Sequence, residues 1–285
     1  MIKGLTLTVV IENTASMEKS SLLAQHGLSL LLEIDFVNSD KVTVLMDTGP
    51  SPETTLHNVG AMGVDLSMVD IVFLSHGHYD HTGGLIGVLK RLGKKVPVIA
   101  HPSVFEPKLK SEPHLKSIGS PCTLSEVEAA GGIMLCAKNT INLGKGVMTS
   151  GQIERSTTFE KTQGFQTIKE GLFIEDYLPD DQALIVHIEG KGLAVISGCA
   201  HSGIINTLRH AQKIASVNDI YAVIGGFHLE KANDEQIKST IDELKRLSPK
   251  IIAPCHCTGL KAINHLINSF GNQCKPLRTG DILKL

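Results

Sequence analysis

The sequence predicts an α/β fold, and three observations carry that expectation. Short apolar segments of strand character alternate with segments of helical character over most of the chain, as in proteins that pack strands and helices in layers. Of the 285 residues, 42% are hydrophobic and 20% are charged, a balance that buries a sizeable core and excludes disordered and collagen-like classes. One stretch, residues 102–169, breaks the alternation and is richer in Lys, Ser and Thr. It is expected to be a small α+β insertion in a single domain spanning residues 1–285.

Taken in order, residues 5–12 and 28–36 read as strands, and 41–45 as a buried strand that ends at Asp47, Thr48 and Gly49. Pro52 early and Glu53 in the first turn mark a helix over 51–62. Residues 71–74 form a short apolar strand running into a His-rich turn, 85–92 a helix and 96–100 another strand. In the middle stretch, Thr123 precedes a helix over 125–130, and strand-like pieces follow at 133–137 and 146–149. The alternation resumes with a hairpin of 183–188 and 193–196, a helix over 204–215, a strand at 220–224, a helix over 234–247 and a strand at 250–253.

The 27 basic and 29 acidic residues leave a net charge of −2 with no block of like charges, which disfavours nucleic acid as a partner because phosphate binding needs clustered Lys and Arg. The opening residues are too polar for a signal peptide, and no stretch approaches the roughly 18 apolar residues of a membrane span. A cytoplasmic protein acting on a small molecule, with no membrane partner, is expected. Six cysteines without a C-x-x-C pair argue against a disulfide framework. Thirteen histidines are the more telling count, since imidazole is the commonest metal ligand.

They concentrate in Ser75-His76-Gly77-His78-Tyr79-Asp80-His81-Thr82-Gly83-Gly84, directly after an apolar strand and before a helix. His76 and His78, two apart, project the same way in extended chain and can grip one metal. Asp80 and His81 at the following turn can reach a second.

This H-x-H-x-D-H run resembles the signature of the metallo-β-lactamase superfamily, and Leu45-Met46-Asp47-Thr48-Gly49 matches that family's companion segment. The resemblance covers essentially the whole chain. It implies an αββα sandwich of two similar halves with one or two divalent metals at one edge, zinc first and iron or manganese as alternatives, and with Asp47 supporting the ligands by hydrogen bonds. Ser197-Gly198-Cys199-Ala200-His201-Ser202-Gly203 stands where the family has Ser-Gly-Asp, so Cys199 occupies the place of the metal-bridging Asp. Two readings of Cys199 stay open, a thiolate ligand or a small side chain filling space. No Gly-His-Thr-x-Gly segment lies upstream, which makes His201 the candidate third ligand of the first metal. Pro254-Cys255-His256-Cys257-Thr258-Gly259 matches the family's final His ligand at His256. Cys255 and Cys257 point away from it in extended chain and read as buried thiols.

Gly225-Gly226-Phe227-His228-Leu229 is similar to a segment of phosphodiesterases in this superfamily that carry a separate His as proton donor, so His228 is a candidate general acid or extra ligand. Asp80 is a candidate for orienting water. His26, Phe227 and Arg155 are candidate substrate contacts, Arg155 because a guanidinium suits a phosphate or carboxylate. Together with the segment around His26, these motifs resemble a subgroup of dihydropteroate-synthase-like enzymes. That resemblance implies attack at a pterin diphosphate with loss of pyrophosphate. The expected function is a metal-dependent hydrolase or transferase acting on a small phosphorylated or ester-like metabolite through metal-bound hydroxide. Two alternatives stand beside it: an iron-dependent redox protein handling oxygen or sulfur species, and a non-catalytic ligand-binding or scaffold protein that self-associates through the middle stretch as a homo-oligomer.

Overall fold

The computed structural model describes residues 1–162 and 164–285. Strands β1 (Ile2–Ile11), β2 (Ser29–Phe36) and β3 (Lys41–Met46) form an antiparallel meander, followed by α1 (Pro52–Ala61), β4 (Ile71–Phe73), α2 (Tyr79–Thr82), α3 (Leu85–Leu92) and β5 (Val96–Ala100). The middle of the chain supplies β6 (Leu109–Lys110), β7 (Lys116–Ser117), α4 (Leu124–Ala129), β8 (Gly132–Cys136), β9 (Asn142–Gly144), β10 (Val147–Thr149), β11 (Gln166–Lys169) and β12 (Leu172–Glu175). The last part comprises β13 (Ala183–Ile188), β14 (Gly192–Ser197), α5 (Ile204–Ala215), β15 (Ile220–Gly226), α6 (Asp234–Leu247), β16 (Ile251–Cys255), α7 (Leu260–Phe270) and β17 (Ile282–Lys284).

The described residues form one 13-stranded sheet along the path β16-β15-β14-β13-β1-β2-β3-β4-β5-β8, with β10 and β17 attached to β13 and β1 and β9 attached to β10. Its two halves meet where β1 runs parallel to β13 through the single pair Ile2↔Ile188. Strand periodicity explains the layering. Val44 and Met46 of β3 pack into one apolar cluster with Ala194 and Ile196 of β14, whereas Leu45 between them points into another. Leu193 and Val195 likewise turn away into a third. The first cluster is therefore the space between the half-sheets. The second lies under α5, α6 and α7, and the third under α1, α3 and α4. Three apolar layers separate four structural ones, giving an αββα sandwich. Strands buried on both faces also account for the near-continuous apolar runs in the sequence.

The middle stretch is not a self-contained insert. β8 extends the main sheet parallel to β5, and β10 pairs with β13. Only β6, β7 and β11 form a separate sheet, joined by β12 from beyond residue 169, in the order β12-β11-β6-β7. The short elements α2, β6, β7, β9, β11 and β12, together with α7 and β17, lie outside the segments read from the sequence. No described helix is long and apolar enough to cross a membrane.

Candidate metal centre

Parallel strands bring the site together. β3 and β4 run parallel, as do β14, β15 and β16, and their C-terminal ends open into the loops that carry Asp47, His76 to His81, Cys199 to His201, His228 and His256 to Cys257. Such an edge is where α/β sheets place ligands.

Asp47 sits at φ +59 and is fully buried. Its Oδ1 accepts from the Ser75 amide at 2.8 Å, and its Oδ2 accepts from Ser75 Oγ at 2.7 Å and from His81 Nδ1 at 2.6 Å. Ser75 Oγ in turn accepts from His76 Nδ1 at 2.9 Å. With each Nδ1 proton engaged, His76 and His81 present the lone pairs of their Nε2 atoms to the site. The loop is gripped from behind as well. The Gly77 amide donates to Asp180 Oδ2 at 2.8 Å, and the buried Lys108 ammonium lies 2.7 Å from Asp180 Oδ1 and 3.3 Å from Asp176 Oδ2. A Cβ at Gly77 would stand 2.0 Å from the Val104 carbonyl oxygen, so no other residue fits there.

Three ring nitrogens converge. His76 Nε2 is 2.9 Å from His78 Nδ1, and His201 Nε2 lies 3.3 Å and 3.2 Å from them. A tetrahedral ion about 2.0–2.1 Å from its nitrogens spaces them about 3.3 Å apart. Beside this trio, His81 Nε2 lies 3.1 Å from Cys199 Sγ, 3.2 Å from His256 Nε2 and 3.7 Å from Asp80 Oδ2, and His256 Nε2 is 3.4 Å from Asp80 Oδ2. Nitrogens that face one another with so few protons between them leave lone pairs for a cation to satisfy. Among the described residues, buried His78 Nε2, His201 Nδ1 and His228 Nδ1 have no hydrogen-bond partner. The donor set fits one or two divalent ions: His76, His78 and His201 around one, and Asp80, His81, His256 and the Cys199 thiol around the other.

The electrostatics agree. Burial above all, then the neighbouring imidazoles, pushes His76 and His201 well below the ordinary histidine value, and burial takes His78 down to about 3. These rings are neutral and free to coordinate. Burial alone would raise Asp80, but His81 and His256 hold its carboxyl well below the usual range. Burial would lower His81, yet Asp47 and Asp80 push it up to about 9. His81 thus sits in a field that attracts positive charge.

The remaining histidines and cysteines complete the wall. Glu12 Oε1 accepts from the His256 amide at 2.8 Å, and Asn13 Oδ1 lies 3.0 Å from His256 Nδ1, fixing the ring that points at His81. His201 is held in its loop by Ser202, whose amide donates to Asp181 at 2.8 Å, and by Glu160, which accepts from the first amides of α5. The His228 ring stacks 4.2 Å from that of His201. Both open onto a cavity of about 720 Å³ that also reaches His26, His78, Tyr79, Phe165 and Phe227.

His26 stands at the rim, with Nε2 3.4 Å from Asp80 Oδ2 and its ring 5.2 Å from that of His256. Phe227 is buried in the apolar cluster under α5 and α6, forming part of the cavity wall. Arg155 is not brought to the site. Its guanidinium donates to Thr162 Oγ1 at 2.8 Å and to the Tyr177 carbonyl, and it lines a separate cavity of about 370 Å³. Cys257 does not point away from the site either. His256 to Thr258 form one 3₁₀ turn with His256 at φ +51, so extended-chain alternation does not apply, and Cys257 Sγ groups with Cys199 and His256 on the cavity wall. Cys255 packs in the layer between the half-sheets.

Sequence reasoning missed Asn13, Cys257 and Phe165. Phe165 packs 5.4 Å from the His78 ring and 5.2 Å from the His201 ring. Only Cys257, adjacent to a recognised His, carried a local signal.

Comparison with known proteins agrees with this geometry. The pattern described as the Metallo-beta-lactamase superfamily matches residues 27–256. A protein of Methanocaldococcus jannaschii named 7,8-dihydropterin-6-methyl-4-(beta-D-ribofuranosyl)-aminobenzene-5'-phosphate synthase is 39% identical over 267 residues, covering 92% of this chain and 90% of that one. An uncharacterized protein of the same organism is 32% identical over 266 residues, covering 93% and 95%. Among solved structures, Tm1679, described as a metal-dependent hydrolase of the beta-lactamase superfamily, matches with a TM-score of 0.81 at 27% identity over 99% of each chain. With the αββα sandwich, the histidine-rich edge and these relatives in agreement, the chain belongs to the metallo-beta-lactamase superfamily.

Proposed function

We propose that this protein is a metal-dependent hydrolase or transferase acting at the phosphoryl group of a small phosphorylated metabolite, with a dihydropterin diphosphate as the first substrate to test. The observation that carries the reading is the convergence of the His76, His78 and His201 ring nitrogens beside Asp80, His81, Cys199 and His256, a cluster of which His78, Asp80, Cys199, His201 and His256 line one cavity. The name of the 39% identical relative supports the pterin part. Divalent ions held by these side chains would supply Lewis acidity, which acidifies water and polarises a phosphoryl oxygen. The chain's own residues do the rest. Asp80, ionised and turned toward the site, orients the attacking group. His228, whose Nδ1 has no partner in the described residues, holds a proton for the leaving oxygen. Phe165 and Tyr79 offer aromatic faces to a flat ring, each stacking contact contributing about 0.5–1.5 kcal/mol.

The test is turnover of a dihydropterin diphosphate and of simple phosphodiesters by the metal-loaded protein, with His78→Ala as control. Turnover in the wild type and its loss in a folded His78→Ala protein is expected; equal turnover in both would overturn the reading. Two thiols among the donors favour one second reading, an iron-dependent redox protein. Oxygen consumption by the iron-loaded protein, with phosphoester turnover lacking, would decide for it.

A further inference from the structure

The same cavity is also walled by basic side chains that the chemistry above does not use. Lys110, Lys116, Lys161 and Lys231 all line it. None of their ammonium groups lies within 4.0 Å of a carboxylate among the described residues, although Glu112 and Glu230 share the wall.

Their placement is specific. Lys110 ends β6 and Lys116 begins β7, in the small sheet. That sheet is tied to the metal loop, because Gly119 bridges to His78 and the Tyr79 amide donates to the Ile118 carbonyl at 2.9 Å. Lys231 comes from the main sheet's side, in the segment after His228, which is anchored where the Glu230 amide donates to the Cys257 carbonyl at 3.2 Å. The small sheet and the segment after β15 thus bring like charges to the wall of one cavity. Burial first, then the neighbouring charges of Lys231 and Lys116, pushes Lys110 below the ordinary lysine value. Repulsion of this kind destabilises the empty arrangement and is relieved by an anion with several oxygens.

We propose that Lys110, Lys116 and Lys231 form a clasp that binds the phosphate or diphosphate group of the substrate at the cavity wall, distinct from the metal-binding residues. The proposal deepens the reading of a phosphorylated substrate and rests on it. Ammonium groups act here as point charges on flexible stems, which suits a terminal phosphate that enters and leaves. Because the clasp grips a part of the substrate away from the reacting bond, its loss raises KM more than it lowers kcat.

The experiment is calorimetric titration of inorganic pyrophosphate into the metal-loaded full chain, for the wild type, Lys110→Met/Lys231→Met and the single variant Lys231→Glu at an exposed position. Lys191→Met, placed over Tyr221, is the control. Both clasp variants are expected to keep their metal content and lose at least about tenfold in pyrophosphate affinity, about 1.4 kcal/mol, while the control keeps it. Unchanged affinity in the clasp variants overturns the proposal, and so does wild-type protein that does not bind pyrophosphate. If affinity instead disappears only on metal removal, the anion sits on the metal site, which overturns the clasp and leaves the proposed function standing. Lysine-dependent pyrophosphate binding in a protein that turns over no phosphorylated substrate would sink the proposed function and keep the anion site.

Discussion

The two halves of the sandwich furnish the site in different ways. In the N-terminal half, His76 and His81 are each clamped by a partner that fixes the tautomer, through Ser75 and Asp47. In the C-terminal half, His201 and His228 each bury an Nδ1 with no partner among the described residues, against the single Nε2 of His78 among the site histidines of the N-terminal half, and His256 takes its orientation from Asn13, which follows β1 in the other half. One half arrives with its geometry set by hydrogen bonds. The other leaves buried ring nitrogens without a partner among the described residues, at a cost to the unliganded fold.

The largest effect expected from breaking the clamped half is at Lys108. Its ammonium is the counter-charge for two buried carboxylates, one of which accepts from Gly77. Lys108→Met should destabilise the protein by about 3–5 kcal/mol, because it leaves Asp176 and Asp180 buried without a cation. Denaturant unfolding measures it. Burial would lower Lys108, but Asp180 and Asp176 outweigh it and raise the value above 10.5. The stabilisation is therefore complete below that ordinary value and is lost as pH rises through the folded one.

Metal removal probes the other half. At a free metal concentration of about a thousand times Kd, binding contributes about 4 kcal/mol to stability, so chelation should lower Tm markedly. Hydrogen exchange should rise more at residues 198–203 and 256–258 than at 75–81. A uniform rise would erase the distinction between the halves.

A smaller loss is expected from Asp47→Asn, which keeps the shape but weakens the hold on His81. Metal affinity should fall about 10- to 100-fold, read by competition with a coloured chelator. An unchanged affinity would mean that the clamp is dispensable.

The subtlest test concerns the thiols. Cys199→Ser and Cys257→Ser should each weaken the near-ultraviolet sulfur-to-metal band of the cobalt-loaded protein, with a modest change in affinity. A spectrum indifferent to both would assign the thiols to packing alone.

Legibility in the sequence follows the range of the interactions. The run from His76 to His81 is local, so its density and its place after an apolar strand are visible in one dimension, as are the double-faced strands of the sandwich. Cys257 was misread because a positive φ at His256 breaks the alternation on which the reading relied. Arg155 stands apart from the histidines, and its sequence does not show it, because a guanidinium that suits a phosphate serves equally to bind a carbonyl and a hydroxyl of the protein. Asn13 and Phe165 reach the site from distant loops, and nothing near them in sequence marks that destination. The two-residue strands β6 and β7 are too short to show a period. The helix α7, by contrast, does carry a helical spacing in Leu260, Ile263, Leu266, Ile267 and Phe270, which went unread.

The grip on Gly77 bears on the order in which the molecule assembles. Asp180 lies 72 residues from Lys108 and 103 from Gly77, so the loop that presents His76 and His78 takes its final shape only after the segment between β12 and β13 and the small sheet have both docked. Contacts that distant form late. Metal capture during refolding should therefore lag behind the burial of the core, and a ribosome-bound chain that ends before residue 180 should hold the complete histidine signature without the pocket that uses it.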